Sequence, residues 1–339
     1  MISVNKFKST SSNLDTSEAL LIVGKGESEF KNKDILKANS IEEVEYMYGL
    51  DSELTTAFKE ALEIGATDIY LCNCYKFTDY IDVAETISKK EFAYITPLYN
   101  FSETFVTDSN KAMYLCEYYS NILSERLTQL IVTDKHASLY ENLNHFVKNM
   151  NKITMTFKDE ASSRLLNGEN LCFVLNGLEK FKYANVALAS ILMQSDLKYY
   201  PSKDIGQVVF DVNNYDVYGL ESSYFAYDEL AKTTIENFLN FHSKNSPEKF
   251  VPVSLIKQKI LRALDFSEYS GRLFTPYMRI SLENKVTSIM SQFVSTLIES
   301  YKLQDIVFIS NPDRTLTIYV LLNIKPFNSI EEINISLEV

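Results

Sequence analysis

Val23-Gly24-Lys25-Gly26 follows an apolar run and has the outward form of an anion-binding turn. A phosphate loop needs glycines that expose several backbone N–H groups, a lysine at the helix start and a Ser or Thr for magnesium; a dinucleotide loop needs three spaced glycines. Here Glu27, Ser28, Glu29 and Phe30 follow, so acidic side chains stand where a phosphate would sit, and the expectation is an ordinary strand-ending turn. His136, after Asp134 and Lys135, lies where α/β enzymes place catalytic groups. A base there requires a nucleophile and an orienting carboxylate brought to it in space. His145 and His242 fall on expected helices at positions of no specificity. Cys172 lies inside the apolar run Leu171-Cys-Phe-Val-Leu175, where a thiol behaves as a small hydrophobe. Cys72 and Cys74 share one face of a strand, and with three histidines in the whole chain they lack partners for a metal set. Glu42-Glu43 and Glu331-Glu332 are expected to face solvent, without the apolar pocket that raises one pKa of a carboxylate pair. No constellation amounts to an active site, and no cofactor or metal is expected.

The elements that would position these groups follow an α/β rhythm. Ala19-Leu-Leu-Ile-Val-Gly24 reads as a buried strand. Ser40 with Glu43 three residues on reads as a capping box that opens a short helix closed by Gly49. A second helix over 52–64 puts Leu54, Ala57, Phe58, Ala61 and Leu62 on one side and ends at Gly65. A strand over 69–72 follows, and strand-helix-strand order favours parallel pairing. The periodicity then predicts a helix over 79–89, a strand over 92–95, a polar loop over 100–110, a helix over 111–124, a strand over 130–132 and a helix over 137–150. Strands over 153–157 and 171–175 and a helix over 183–193 complete one open α/β domain, 19–200.

Residues 197–250 change character, becoming rich in Tyr and Asp with Pro201, Gly206, Gly219 and Pro247 as punctuation. A strand over 207–210 and a helix near 228–241 are expected there. Helices over 255–264 and 282–301 precede strands over 306–310 and 316–322, joined as a hairpin by the turn Asn311-Pro-Asp-Arg314. The division is therefore 1–18, an N-terminal arm; 19–200, the α/β domain; 201–325, a loop-rich segment and C-terminal core; and 326–339, a terminal strand.

Composition narrows the function classes. The 339 residues are 46% hydrophobic, enough for two cores. Asp and Glu number 45 against 33 Lys and Arg, a formal charge of -12 that repels nucleic acid, and no basic patch offsets it. Gly and Pro total only 16, against several Gly-rich ligand loops, while Tyr and Phe total 43 with no Trp, a composition suited to protein contacts. No window approaches a membrane span and the N-terminus has no signal-peptide core, so stable membrane insertion is not expected and folding in a cytoplasm is.

Both ends read as arms. Residues 1–17 are polar and Ser/Thr-rich with isolated Val4, Phe7 and Leu14, an extended segment ordered on contact with something else. At the other end Ile330 leads into a run in which Ile333, Ile335, Leu337 and Val339 alternate with Asn334, Ser336 and Glu338, the period of a half-buried strand. Such a strand must complete a sheet, in its own domain or in a neighbouring copy.

The order of these pieces resembles the contractile tail sheath proteins of myophages and phage-tail-like particles. Ala19-Leu-Leu-Ile-Val-Gly24, the segment 39–49 and the helix and strand over 54–70 are similar to the family's start, and Leu130-Ile-Val-Thr-Asp134 and Ala187-Leu-Ala-Ser-Ile-Leu-Met193 fall at corresponding points. Lys325-Pro-Phe-Asn-Ser-Ile-Glu-Glu-Ile-Asn-Ile-Ser-Leu-Glu-Val339 is similar to its tail. The chain is short for many sheaths, which implies that peripheral insertion domains are missing.

The resemblance implies an α/β, mixed-sheet sheath-like body with extended N- and C-terminal arms, and a structural role without catalysis. Copies would surround an inner tail tube as a homo-oligomer joined by arm exchange, contract, and drive the tube through a target envelope. Val4, Phe7, Ile330, Ile333, Ile335, Leu337 and Val339 would carry the inter-subunit links, with 282–301 and 316–322 nearest the tube. Partners would be the tail tube protein and the baseplate and tail terminator proteins, in a virion tail or tail-like particle assembled in a bacterial cytoplasm. Two other readings stand beside it: another tail or baseplate adaptor, and a cytoplasmic α/β enzyme binding a nucleotide near Gly24–Gly26 and His136.

Overall fold

The computed structural model describes residues 18–87, 90, 92–98, 119, 129–133, 171–174, 178–194, 202–203, 207, 224–227, 233–236, 251–264, 266, 269, 275–310 and 316–327. They group into two units, one ending at Leu255 and the other beginning at Ile256.

In the first unit, β1 (Leu20–Gly24) is buried along its whole length, as a run apolar on both faces requires. Helix α1 (Ile41–Tyr48) starts where expected, the Ser40 hydroxyl accepting from the Glu43 N–H at 3.2 Å. The return half of the box is displaced by one residue, since the Glu43 carboxylate accepts from the backbone and side-chain N–H groups of Asn39. Helix α2 (Glu53–Ile64) is capped by Ser52 and closed by Gly65 at φ 106°, whose N–H reaches the carbonyls of Ala61 and Leu62. Its buried row is Leu54, Ala57, Phe58, Ala61 and Ile64; Leu62, expected inside, is 36% exposed because the helix turns Ile64 inward instead.

Strand β3 (Ile69–Asn73) runs parallel to β1. After α3 (Phe77–Ile87) the chain returns on β1's other side as β4 (Tyr94–Pro97), and β5 (Gln129–Thr133) and β6 (Leu171–Val174) continue parallel outward. A three-residue strand that the sequence pattern did not announce, β2 (Ile35–Lys37), pairs antiparallel on the free side of β3, so the six-stranded sheet reads β2-β3-β1-β4-β5-β6. Leu20, Ile22, Ile69 and Leu71 belong to a core shared with α1, α2 and α4 (Ala184–Leu192), the last buried at every position. The intervening Leu21, Val23, Tyr70 and Cys72 point to the opposite face, where Tyr70 meets Phe92 edge-on.

The region expected to hold a helix over 228–241 instead contributes strands. β7 (Ser202–Lys203), β8 (Tyr224–Tyr227) and β9 (Thr233–Glu236) form a small antiparallel sheet in the order β7-β9-β8. The run Thr233-Thr234-Ile235 is β-branched and, once paired on both sides, favours the extended backbone. Helix α5 (Val251–Ala263) follows.

In the second unit, α6 (Pro276–Phe293) starts earlier and stops earlier than the expected helix over 282–301. Pro276 suits a first helical turn, and Ser295 at φ 67° turns the chain out, so residues 298–301 join a strand. The hairpin is present and longer than expected, with β10 (Ile298–Ser310) antiparallel to β11 (Leu316–Pro326). Among the described residues no helix is long and apolar enough to cross a membrane. The elements expected over 100–110, 137–150 and 153–157 and the turn at 311–314 lie outside the described residues, as does the expected helix over 111–124 except Tyr119 and the strand over 207–210 except Gln207.

Candidate functional site

An open parallel sheet binds ligands beyond the carboxyl ends of its strands, where the strand order reverses. Here the reversal lies beside β1, between the ends of β1 and β4. Aliphatic carbon fills that point. The Leu98 N–H donates to the Val23 carbonyl at 2.7 Å, drawing its side chain over Gly24 so closely that a Cβ there would lie 2.7 Å from Leu98 Cδ1 and 3.2 Å from Leu54 Cδ2. Leu54 and Leu98 are both buried, and Asn185 of α4 holds the end of β4 by donating to the Pro97 carbonyl at 2.9 Å.

The Gly24–Gly26 turn is likewise committed to its own chain. The Gly26 N–H, which an anion would need, donates to Asn73 Oδ1 at 2.8 Å, and the Glu27 N–H donates to the Tyr48 carbonyl at 2.8 Å. Asn73 is fully buried, and its Nδ2 donates to the carbonyls of Ser28 and Phe30, both at 2.9 Å, so one side chain pins the whole loop after β1. Asn32 adds a second tie: its amide donates to Asp79 Oδ2 at 3.0 Å and its oxygen accepts from the Tyr75 N–H at 3.1 Å. Lys31 and Lys33 take left-handed backbone, φ 53° and 65°, in the segment these bonds hold. Lys25 is spent over the Tyr75 ring, 4.9 Å from its centroid. The turn is a structural one, as its sequence suggests.

The other candidate groups are placed as follows. Cys72 and Cys74 are buried free thiols, and burial pushes the Cys74 thiol up, which makes it inert. Glu42 is exposed; its backbone N–H and the Ser40 hydroxyl hold its carboxyl below the ordinary range. Glu60, not singled out by its sequence context, is 9% exposed and accepts from the Lys182 N–H at 2.7 Å and the Tyr183 N–H at 3.1 Å, tying α2 to the chain entering α4. Burial raises its pKa, and the two backbone bonds oppose that rise. Cys172 lies on β6, while Cys116, His136, His145, His242, Glu331 and Glu332 are outside the described residues. So are all the expected linking residues, Val4, Phe7, Ile330, Ile333, Ile335, Leu337 and Val339. Among the described residues no group of three His, Cys, Asp or Glu could hold a metal ion.

What the described residues do present is a sheet with open edges next to the C-terminal segment. Among them, β10 and β11 each have one strand partner. A two-stranded hairpin is marginal in water unless something covers it. Helix α6 lies against β10 and buries a single row, Met278, Leu282, Val286 and Met290, while Tyr277 and Ile280 stay 79% and 56% exposed. Arg279 fastens the helix to the strand, reaching Glu283 at 3.1 Å and Asp305 at 2.8 Å. Strand β10 has thirteen residues to the eleven of β11, and the difference is two bulges, at Glu299 and Gln304. Asn73 and these bulges are the features that sequence reasoning missed; a polar residue closing a buried strand was the one available signal for the first.

No protein-family model and no curated protein matches the chain in sequence. Solved structures do match its fold. A chain of the anti-feeding prophage baseplate in the contracted state superposes with a TM-score of 0.71 at 11% identity, covering 99% of this chain and 96% of that one. A chain of the anti-feeding prophage helical sheath in the contracted state gives 0.63 at 8% identity, covering 96% and 94%. A chain of the PVC sheath complex of an extracellular contractile injection system, also contracted, gives 0.59 at 11% identity, covering 99% and 98%. The chain thus has the fold of sheath and baseplate subunits of contractile injection systems, the mixed α/β body that its sequence resembles. The agreement spans nearly the whole of each partner chain, so these neighbours are of similar length and not enlarged by insertion domains.

Proposed function

We propose that this chain is a structural subunit of a contractile sheath, polymerising around an inner tube and contracting to drive it through a target envelope. The observation that carries the reading is the end-to-end fold match to sheath chains, joined to a hairpin that among the described residues has two strands and that directly precedes the C-terminal segment. Strand addition suits such a device, because main-chain hydrogen bonds keep subunits linked while their bodies slide and rotate. On this reading residues 1–18 and 326–339 are linking arms, with Val4, Phe7, Ile330, Ile333, Ile335, Leu337 and Val339 supplying the apolar contacts. The acidic surface acts through complementarity with neighbouring subunits and the tube, and the partners are the tube, baseplate and tail terminator proteins of a tail-like particle. The crevice filled by Leu54 and Leu98 supports a role without catalysis. A second reading, a sheath-like subunit fixed at a baseplate, is favoured by the higher TM-score to the baseplate chain.

Negative-stain electron microscopy of the full-length protein, beside a variant lacking residues 328–339, tests both. Tubes or stacked rings formed only by the intact chain support the sheath; closed single rings favour the baseplate subunit. Uniform small particles from both proteins sink the assembly reading.

A further inference from the structure

We infer that the outward face of α1 and the turn after it is a docking surface for the basic helix α5 of a second copy of this chain; the inference rests on the assembly reading above and names one contact within it. Helix α1 buries Val44 and Tyr48, while Tyr46, Leu50 and Ile41 stay 87%, 64% and 37% exposed. The surface is held rigid. Ser40 caps one end of the helix, the Gly49 N–H closes the other on the Glu45 carbonyl, and the Glu27 carboxylate fixes the turn by accepting from the Asp51 N–H at 3.0 Å. A surface whose backbone is already ordered loses little entropy when a partner covers it. Apolar side chains with a polar rim are the pattern of a protein contact, and here the rim has one sign. Residues 40–53 contain Glu42, Glu43, Glu45, Asp51 and Glu53 and no lysine or arginine. Lys59 satisfies Glu45 at 2.7 Å, but Glu42 and Asp51 are exposed and make no ion pair among the described residues.

Charge selects the occupant. The face calls for a positive partner, and in a chain of net charge -12 few segments qualify. Among the described helices, α1, α2 and α3 carry an acidic excess, α4 has no charge and α6 one net positive charge. Helix α5 has three basic residues, Lys257, Lys259 and Arg262, and no acidic one. It buries Leu255, Ile256 and Ile260 and leaves Lys259 exposed, without an ion pair among the described residues. Glu42 and Tyr46 lie one turn apart on the same side of α1, so the ammonium of a docked lysine can meet the carboxylate while its aliphatic stem lies along the ring. Because α1 and α5 are different patches, the contact runs head to tail and closes into a ring or continues as a helix, the forms that the assembly reading requires.

The test is a charge exchange in the full-length protein, read as the lowest concentration at which light scattering reports assembly and checked by negative-stain microscopy. Glu42→Lys and Lys259→Glu should each raise that concentration about tenfold, and the double variant should return to within about twofold of the unmodified chain. Tyr46→Ala should weaken assembly with no rescue from either charge change. All three side chains are exposed, so melting temperatures should stay close to that of the unmodified chain. If a reversal lowers the melting temperature, Glu42→Gln and Lys259→Gln remove the attraction without adding repulsion and take its place. Loss in only one single variant, or in both without rescue, overturns α5 as the occupant. Normal assembly of both single variants overturns the docking surface while leaving assembly intact. Absence of rings or tubes from the unmodified chain defeats the assembly reading itself, and this pairing with it.

Discussion

Replacing Asn73 by alanine should loosen the loop after β1 and destabilise the first unit by about 2–4 kcal/mol. The side chain is fully buried and serves three backbone groups of one loop: the Gly26 N–H at 2.8 Å and the carbonyls of Ser28 and Phe30 at 2.9 Å. Alanine leaves all three without it. The Gly26 N–H is buried, and an orphaned buried donor costs roughly 1–3 kcal/mol, whereas the two carbonyls are partly exposed and lose about 0.5–1.5 kcal/mol each before water compensates. Asn73→Asp should be at least as harmful: it keeps the acceptor for Gly26 but aims a buried carboxylate at two carbonyl oxygens. Urea denaturation measures the loss, and hydrogen exchange at the Gly26 amide locates it, because the alanine variant should lose protection there before the strands open. A cost below about 0.5 kcal/mol with Gly26 still protected would falsify the claim that Asn73 holds the loop.

Gly49→Ala should be strongly destabilising, since Gly49 sits at φ 96° and ψ 153° and an added Cβ would fall on the Glu27 carboxylate that accepts from the Asp51 N–H. Backbone strain of about 1–3 kcal/mol adds to the displaced bond, and a melting temperature near that of the wild type would count against it. Glu60→Gln should cost about 1–3 kcal/mol, because an amide NH2 must face one of two backbone N–H donors. Burial raises the Glu60 pKa, so its contribution is fully present below the unfolded value of about 4.3 and is lost as pH rises through the folded one. The stability gap between wild type and Glu60→Gln should therefore narrow with rising pH across that window; a widening gap in denaturation curves taken at several pH values refutes the sign. Tyr48→Phe should be neutral or stabilising by up to about 1 kcal/mol, because the Tyr48 hydroxyl is buried without a hydrogen-bond partner among the described residues, and a clear loss in the same assay would mean that the hydroxyl is satisfied.

Local chemistry accounts for much of the first unit. The apolar run that becomes β1, the serines at 40 and 52 and the glycines at 49 and 65 act within a few residues of themselves, so strand, caps and stops stand where their sequence places them. The same is true of the hairpin's existence, since alternation and a turn signal are both short-range. Leu62 against Ile64 shows the resolution of such reasoning: the two lie on opposite flanks of the row Leu54, Ala57, Phe58 and Ala61, and the core takes Ile64.

Other features depend on partners remote in sequence. Strand β2 is three residues long and becomes a strand only because β3 offers an edge, and Thr233–Glu236 is extended rather than helical because strands flank it on both sides. Asn73 looks ordinary until Gly26, 47 residues earlier, is brought to its oxygen. Whether the reversal point of the sheet is a ligand crevice or a stopper turns on Leu54 and Leu98 converging on Gly24, which no spacing motif records. The caps of α1 and α2 and the apolar period of β1 are written residue by residue in the chain. The filling of the crevice and the bulges of β10 arise only when segments tens of residues apart meet, because hydrogen-bond pairing and steric exclusion act through space.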